Sequence, residues 1–175
     1  MIVTLTPNPS VDRTVSVTGL ARGEVQRATA SRIDPGGKGV NISRALTAHK
    51  AQTLAVLPAG GPEGHLLGEL LAKAGIDVSI VPIEGSIRAN VALVEPDGTT
   101  TKINEPGPHL SGAEIGALFP CADATLGGHP AWLVGSGSLP PGADPHLPAA
   151  LLPRRHAAAA RVAFYASCPP LVTAA

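Results

Sequence analysis

Residues Pro35-Gly36-Gly37-Lys38-Gly39-Val40-Asn41 set three glycines and a lysine directly before an apolar helical pattern. Lacking side chains, Gly36, Gly37 and Gly39 accept positive φ and let a ligand approach the backbone. The segment that follows, Val40 to Leu46, reads as a helix with Ile42, Ala45 and Leu46 on its apolar face. Its free N–H groups point back at the loop, a start that favours anions. Lys38 adds positive charge at the same place. The loop therefore predicts a pocket for a small, polar, phosphorylated molecule.

The surrounding chain alternates strand and helix patterns. Ile2-Val3-Thr4-Leu5-Thr6 is a β-branched run, read as a buried strand that stops at the loop Pro7-Asn8-Pro9-Ser10. Asp12-Arg13 is placed just beyond that strand, at the edge where open α/β sheets bind ligands. Asp12 reads equally as a turn or cap residue. Thr14–Thr18 alternates with period two, and a second extended segment runs from about Val25 to Ile33 with Arg27 on it. A lone arginine there is ordinarily a solvated one. Thr53–Leu57 and Val78–Val81 are further strands, separated by a helix with Leu66, Leu67, Leu70, Leu71 and Ala74 on one face and Gly75 as its stop. This order predicts an α/β fold with a mainly parallel sheet flanked by helices.

The rhythm breaks at Ala89–Val94 and Thr99–Asn104, which flank Pro96-Asp97-Gly98 and predict a hairpin. Period two puts Arg88 and Asn90 on one face of its first arm, and Lys102 and Asn104 on one face of the second. With the earlier flap, this polar hairpin is read as a small β-strand lid, spanning about 12–34 and 86–105. Ser111-Gly112-Ala113-Glu114 has capping-box spacing. Ala131–Val134 predicts a buried strand leading into a second glycine-rich loop, Gly135-Ser136-Gly137-Ser138. A helix from Asp144-Pro145 to about Ala159 and a strand at Arg161–Phe164 complete the expected elements.

Composition excludes several classes. The formal net charge of zero argues against a nucleic-acid or anionic-membrane footprint, and 2% aromatics argue against base-stacking platforms. Cys121 and Cys168 show no Cys-x-x-Cys pattern and are expected as two inert thiols. The N-terminus lacks a signal-peptide pattern, and no apolar run is long enough to span a membrane, so the expected location is cytoplasmic.

Known phosphate and nucleophile motifs fail on spacing. Gly39, not Ser or Thr, follows Lys38, so the loop is not a Walker A sequence. Ile42 and Pro140 stand where a dinucleotide fingerprint needs glycine. The surroundings of Ser136 do not fit a hydrolase elbow. The six histidines, including His109 and His129, are scattered, and no metal-ligand set is expected.

Five blocks in order carry a resemblance to the ribokinase-like PfkB carbohydrate kinases. They are Thr4 to Asp12, Gly36 to Asn41, Arg88-x-Asn90, Thr101 to Gly107 and Ser136 to Gly142. The sequence is most similar to the bacterial 1-phosphofructokinase and tagatose-6-phosphate kinase branch. The resemblance covers Met1 to about Gly142. It implies a ribokinase-like fold and transfer of the ATP γ-phosphoryl group, with Mg2+, to a sugar-phosphate hydroxyl. In that branch fructose 1-phosphate becomes fructose 1,6-bisphosphate. By position, the resemblance has Asp12 accept hydrogen bonds from sugar hydroxyls, with Gly36, Gly37 and Asn41 lining the sugar pocket. It turns Lys38, Arg27 and Arg88 toward the substrate's phosphate, and has Asn90, Lys102, Asn104, Glu105 and Ser138 complete the lid side and floor. Lys102 and Glu105 read also as solvated charges. A homodimer through the lid is implied as well.

The family's general-base aspartate lies in a Gly-Ala-Gly-Asp motif, and that motif is absent from these 175 residues. The tail also departs from the family, with Tyr165-Ala166-Ser167-Cys168 where an Asp-x-Ser-Gly turn is usual. The expectation is the N-terminal part of a sugar kinase, with its C-terminal half missing and no catalytic residue of its own. The alternatives are a catalytically inactive sugar-phosphate-binding remnant and a disrupted gene product.

Overall fold

In the computed structural model, residues 1–126, 132–147, 149–151 and 160–165 are described. The chain runs β1 (Ile2–Leu5), β2 (Ser10–Val17), β3 (Ala28–Gly36), α1 (Lys38–Ala48), β4 (Thr53–Ala59), α2 (Gly61–Lys73) and β5 (Asp77–Pro82). It continues with β6 (Arg88–Val94), β7 (Thr100–Asn104), α3 (Gly112–Leu126), β8 (Trp132–Ser136), a 3₁₀ turn (Ala149–Leu151) and β9 (Arg161–Tyr165). The strands form two sheets. One is five-stranded, in the order β5-β4-β1-β8-β9; the other is four-stranded, in the order β3-β2-β6-β7.

All pairings in the five-stranded sheet are parallel. α1, α2 and α3 lie in the crossovers from β1 to β4, from β4 to β5 and from β5 to β8, as parallel connections favour. The resulting core has two apolar clusters. Val3, Leu5, Val56 and Leu133 pack with Leu118, Ala122 and Leu126 of α3. Ala55, Leu57, Val40, Leu67 and Leu71 pack together with Val11, Ile83 and Ile87. The ribokinase-like α/β fold expected from the sequence is the fold observed.

Several boundaries differ from the sequence reading. Ser10, read as a loop residue, opens β2, and Asp12 and Arg13, read just beyond β1, lie inside that strand. Ser10–Arg13 pair on both sides, antiparallel with β3 and parallel with β6, so the ladder begins earlier than the hydrophobic alternation does. Arg27 directly precedes β3 and is exposed. The buried positions of α1 are Gly39, Val40 and Ser43, while Ala45 is exposed. A serine occupies the buried face because Ser43 Oγ shares hydrogen bonds with Thr4 Oγ1 at 2.8 Å and Thr53 Oγ1 at 3.0 Å.

The local signals for turns and caps agree with the structure. Gly75 has φ 68° directly after α2, and Gly98 has φ 88° in the β6–β7 turn. Ser111 and Glu114 exchange the two bonds of a capping box, at 3.2 and 2.7 Å. Cys121 is a free, half-buried thiol 3.1 Å from Ser79 Oγ. His129, Cys168 and most of the expected helix ending near Ala159 lie outside the described residues. Among the described residues, no helix is long and apolar enough to cross a membrane.

Candidate functional site

The four-stranded sheet carries a groove lined by residues of β2, β6 and β7. The strand register decides which side chains share it. Parallel pairing of β2 with β6 sets Ser10 opposite Arg88 and Asp12 opposite Asn90. Antiparallel pairing of β6 with β7 sets Asn104 opposite Asn90 and Lys102 opposite Ala92. Asp12, Asn90, Lys102 and Asn104 therefore line one groove of about 390 Å³.

Around Asp12 the polar contacts are short. Ser10 Oγ donates to Asp12 Oδ1 at 2.7 Å, and Asn90 Nδ2 donates to the same oxygen at 2.8 Å. Asn90 Nδ2 also donates to Ser10 Oγ at 3.1 Å. Gly36 sits opposite Ser10 on β3, and a side chain there would overlap the Asp12 carboxylate and Ser10 Oγ.

Arg88 joins the two sheets. Its Nη2 donates to the Asn8 carbonyl at 3.0 Å and to Ser138 Oγ at 3.4 Å, and its Nη1 donates to the Glu105 carbonyl at 3.3 Å. None of these acceptors is a carboxylate, and Nε is buried without a partner. Burial holds the Arg88 guanidinium below the usual arginine value, opposed by the Asp12 carboxylate. Arginine remains charged through such a shift. A half-buried cation whose direct partners are neutral is an open seat for an anion.

Asn8 is the residue the sequence reading left out. Its side-chain amide donates to the Pro106 carbonyl at 3.0 Å, and to Ser138 Oγ and the Leu139 carbonyl at 3.3 Å each. It ties the β1 end, the segment after β7 and the second glycine-rich loop together. The sequence signal was its place between Pro7 and Pro9, where neither neighbour offers an N–H. Ser10 was also missed, having been read as a loop residue.

The glycine loop is split between a strand and a helix. Gly36 ends β3, Gly37 is the helix N-cap with φ 113°, and Lys38 opens α1. No side chain caps this helix start and no acidic residue stands in its first turn. Lys38 lies against Gly137 of the second loop. Asn41 is exposed, and Arg44 donates to its Oδ1 at 3.4 Å while pairing with Asp34 at 3.7 Å.

The structure thus brings together Asp12, Gly36, Arg88, Asn90, Lys102, Asn104, Glu105 and Ser138, with Gly37, Lys38 and Asn41 at the adjoining helix start. It does not bring in Arg27, which makes no hydrogen bond or ion pair with the others among the described residues. The Glu105 carboxylate is turned to the backbone, accepting from the Ala89 N–H at 2.8 Å. Buried polar atoms without partners recur at this end of the molecule: Thr6 Oγ1, Asn8 Oδ1, Arg88 Nε, Asn90 Oδ1 and Ser136 Oγ. Such atoms are rare in folded proteins and mark places where a ligand or water completes the bonding.

Comparison with known proteins fits this geometry. The profile of the pfkB family carbohydrate kinases matches residues 6–145. A 6-phosphofructokinase isozyme 2 of Mycobacterium tuberculosis is 39% identical over 144 residues, covering 81% of this chain and 42% of the relative. A 1-phosphofructokinase of Xanthomonas campestris is 36% identical over 174 residues, covering 98% of this chain and 54% of the relative. The structure of Escherichia coli phosphofructokinase-2 in complex with fructose-6-phosphate superposes with a TM-score of 0.88 at 29% identity, covering 98% of this chain and 56% of that one. The chain spans about half the length of the curated relatives it matches. By sequence profile, relatives and fold together, it belongs to the pfkB family of carbohydrate kinases.

Proposed function

We propose that this chain carries the sugar-phosphate-binding half of an ATP-dependent kinase that converts fructose 1-phosphate to fructose 1,6-bisphosphate. The observation that carries the reading is the offset between Asp12 and Arg88. They share one face of paired parallel strands, two residues apart along the register. Two residues of strand are about 7 Å. That separation suits a ligand with hydroxyls at one end and a phosphate at the other. Asp12 would accept from the hydroxyls, and the Arg88 fork would meet the phosphate. Gly36, Gly37, Asn41, Asn90, Lys102, Asn104, Glu105 and Ser138 would enclose the sugar, with the four-stranded sheet acting as a lid over residues 12–34 and 86–105. Lys38 would add charge beside the phosphate. Arg27, exposed before β3, is the weakest member of the proposed phosphate side.

ATP, with Mg2+, supplies the phosphoryl group in this reading. The uncapped start of α1 beside Lys38 fits the sugar's own phosphate, and the expected ATP site is mostly absent from these residues. Phosphoryl transfer depends on positioning and on stabilising developing charge, so the residues present bind and orient the acceptor. The general base expected from Gly-Ala-Gly-Asp has no counterpart motif in this sequence.

Calorimetry with fructose 1-phosphate, tagatose 6-phosphate, fructose 6-phosphate and free fructose tests the binding half. A coupled assay for fructose 1,6-bisphosphate tests catalysis. Binding of fructose 1-phosphate above free fructose, without turnover by this chain alone, is the expected result. Absence of heat with every sugar phosphate would remove the reading, and turnover would show that the aspartate motif is dispensable. Binding without turnover also fits a sugar-phosphate-binding remnant. Restored turnover on adding the C-terminal half of a relative separates the two.

A further inference from the structure

We infer that Ser10 and Asn90, with Gly36 leaving them room, are positioning residues that fix the Asp12 carboxylate and leave Oδ2 as its free acceptor. The inference rests on the sugar-phosphate reading for what Asp12 binds, but its geometry stands on the ligand-free chain.

Contact geometry carries the case. Asp12 Oδ1 only accepts, so the Asn90 atom 2.8 Å away is the amide nitrogen. The same nitrogen is 3.1 Å from Ser10 Oγ, and Ser10 Oγ is 2.7 Å from Asp12 Oδ1, so the three atoms close a triangular ring. The two oxygens are too close together for the two amide hydrogens to take one each, so one N–H is shared between them and the other points away. The Ser10 hydroxyl hydrogen is spent on Asp12 Oδ1, and Ser10 is 1% exposed. Both residues thus act on a ligand through the Asp12 carboxylate.

The ring also solves a conformational problem. An aspartate carboxylate rotates broadly about its last torsion. Two donors on one oxygen restrict that rotation and leave Oδ2, which takes no hydrogen bond among the described residues, as the free acceptor of a residue that lines the groove. Serine suits the corner because its hydroxyl accepts from Asn90 and donates to Asp12 at once. Gly36 is required because any Cβ there would occupy the space of the ring. This assigns the glycine to the carboxylate's support as well as to the ligand's approach.

The test compares Ser10→Ala and Asn90→Ala with the unaltered chain by calorimetry, using fructose 1-phosphate and inorganic phosphate as probes. Each variant is expected to weaken fructose 1-phosphate roughly tenfold, the worth of about one charge-assisted hydrogen bond, with inorganic phosphate unchanged. In an Asp12→Asn background, adding Ser10→Ala should change affinity by less than about twofold, as members of one network are not additive. Unaltered fructose 1-phosphate affinity in both single variants, or full additivity with Asp12→Asn, overturns the positioning role. The Asn90 side-chain amide signals in a nitrogen-15 NMR spectrum give a readout without sugar. They should move in Ser10→Ala and in Asp12→Asn, and unmoved signals overturn the ring. If the unaltered chain binds no sugar phosphate, the functional reading fails while these signals still decide the ring.

Discussion

The Arg88 guanidinium donates to the main-chain carbonyl of Asn8 at 3.0 Å, joining the first strand of the β6–β7 hairpin to the loop after β1. The contact crosses from one sheet to the other. A phosphate entering at Arg88 would compete with neutral acceptors on both, so ligand affinity and the seating of the four-stranded sheet are coupled through one side chain. Arg88→Lys keeps the charge and loses the fork. Its affinity for fructose 1-phosphate should fall at least about tenfold, with free fructose unaffected. Arg88→Ala should in addition lower unfolding free energy by about 1–3 kcal/mol, since the carbonyl of the buried Asn8 loses a donor. Calorimetry and urea denaturation measure the two effects.

Ser43 presents a different buried network. Its hydroxyl bridges Thr4 and Thr53, and all three residues are buried. Ser43→Ala leaves two threonine hydroxyls with fewer partners and should cost about 1–3 kcal/mol. Ser43→Ala combined with Thr4→Val should cost less than the sum of the single changes, because removing both ends of a bond removes the unmet demand. Urea midpoints of the three variants check this. Affinity for fructose 1-phosphate should not change in Ser43→Ala.

These two networks show what the sequence could and could not disclose. The alternation of β-branched runs with leucine-rich helical patterns made the parallel sheet legible, because period and burial are properties of each segment alone. Turn and cap chemistry at Gly75, Gly98 and Ser111–Glu114 was legible for the same reason. Ser43 on the buried face of α1 was not, since its burial depends on hydroxyls 39 residues before and 10 residues after it. Asp12 was named from the sequence, just beyond the first strand, but its own strand was not seen to reach it. Its strand depends on pairing with β6, a partner 78 residues away at Asn90. Asn8 was missed because its role consists of contacts with Pro106, Ser138 and Leu139, none of them local, and Ser10 because its local bond to Asp12 gains its meaning only with Asn90 across the sheet.

Acid should weaken the fold through three carboxylates held below their ordinary values. Glu114 is lowered by bonds from the Ser111 backbone and side chain and from Glu84 N–H. Glu63 is lowered chiefly by the Ser86 hydroxyl, and Asp97 by the Thr99 backbone and hydroxyl. A carboxyl depressed in the folded state binds its proton more readily when unfolded. Its contribution is therefore fully present above the ordinary value, 4.5 for the two glutamates and 3.8 for Asp97. It is lost as pH falls through the lower folded values. Urea midpoints of the unaltered chain should be flat just above pH 5 for these groups and decline below it. The difference between the unaltered chain and Glu114→Gln should shrink over the same acid range. A gap that stays constant down to the acid limit would show that the capping box gains nothing from the ionised carboxylate.

The far face of the four-stranded sheet bears on assembly. Period two sends Asp12, Asn90 and Asn104 to the groove, and Val15, Val91, Leu93 and Ile103 to the opposite face. Ile103 is 58% exposed there, and the three others are half-buried. An apolar row flanked by the free edge of β7 suits pairing between two copies of the sheet better than it suits water. A C2 pairing would present the same row twice, so one substitution is met twice in the interface. If two copies pair through this face, Ile103→Lys should shift the molecular mass from dimer toward monomer, and Thr100→Lys, at the start of the same strand on the groove side, should not. Light scattering on the eluting protein across a concentration series gives the mass directly. A monomer at every concentration for the unaltered chain would leave the far face without a self-partner. A dimer that survives Ile103→Lys would place the contact on another surface. If the dimer forms through this sheet, fructose 1-phosphate should stabilise it as well, because Arg88 ties the sheet to the body and a ligand held there fixes the sheet that the partner must meet.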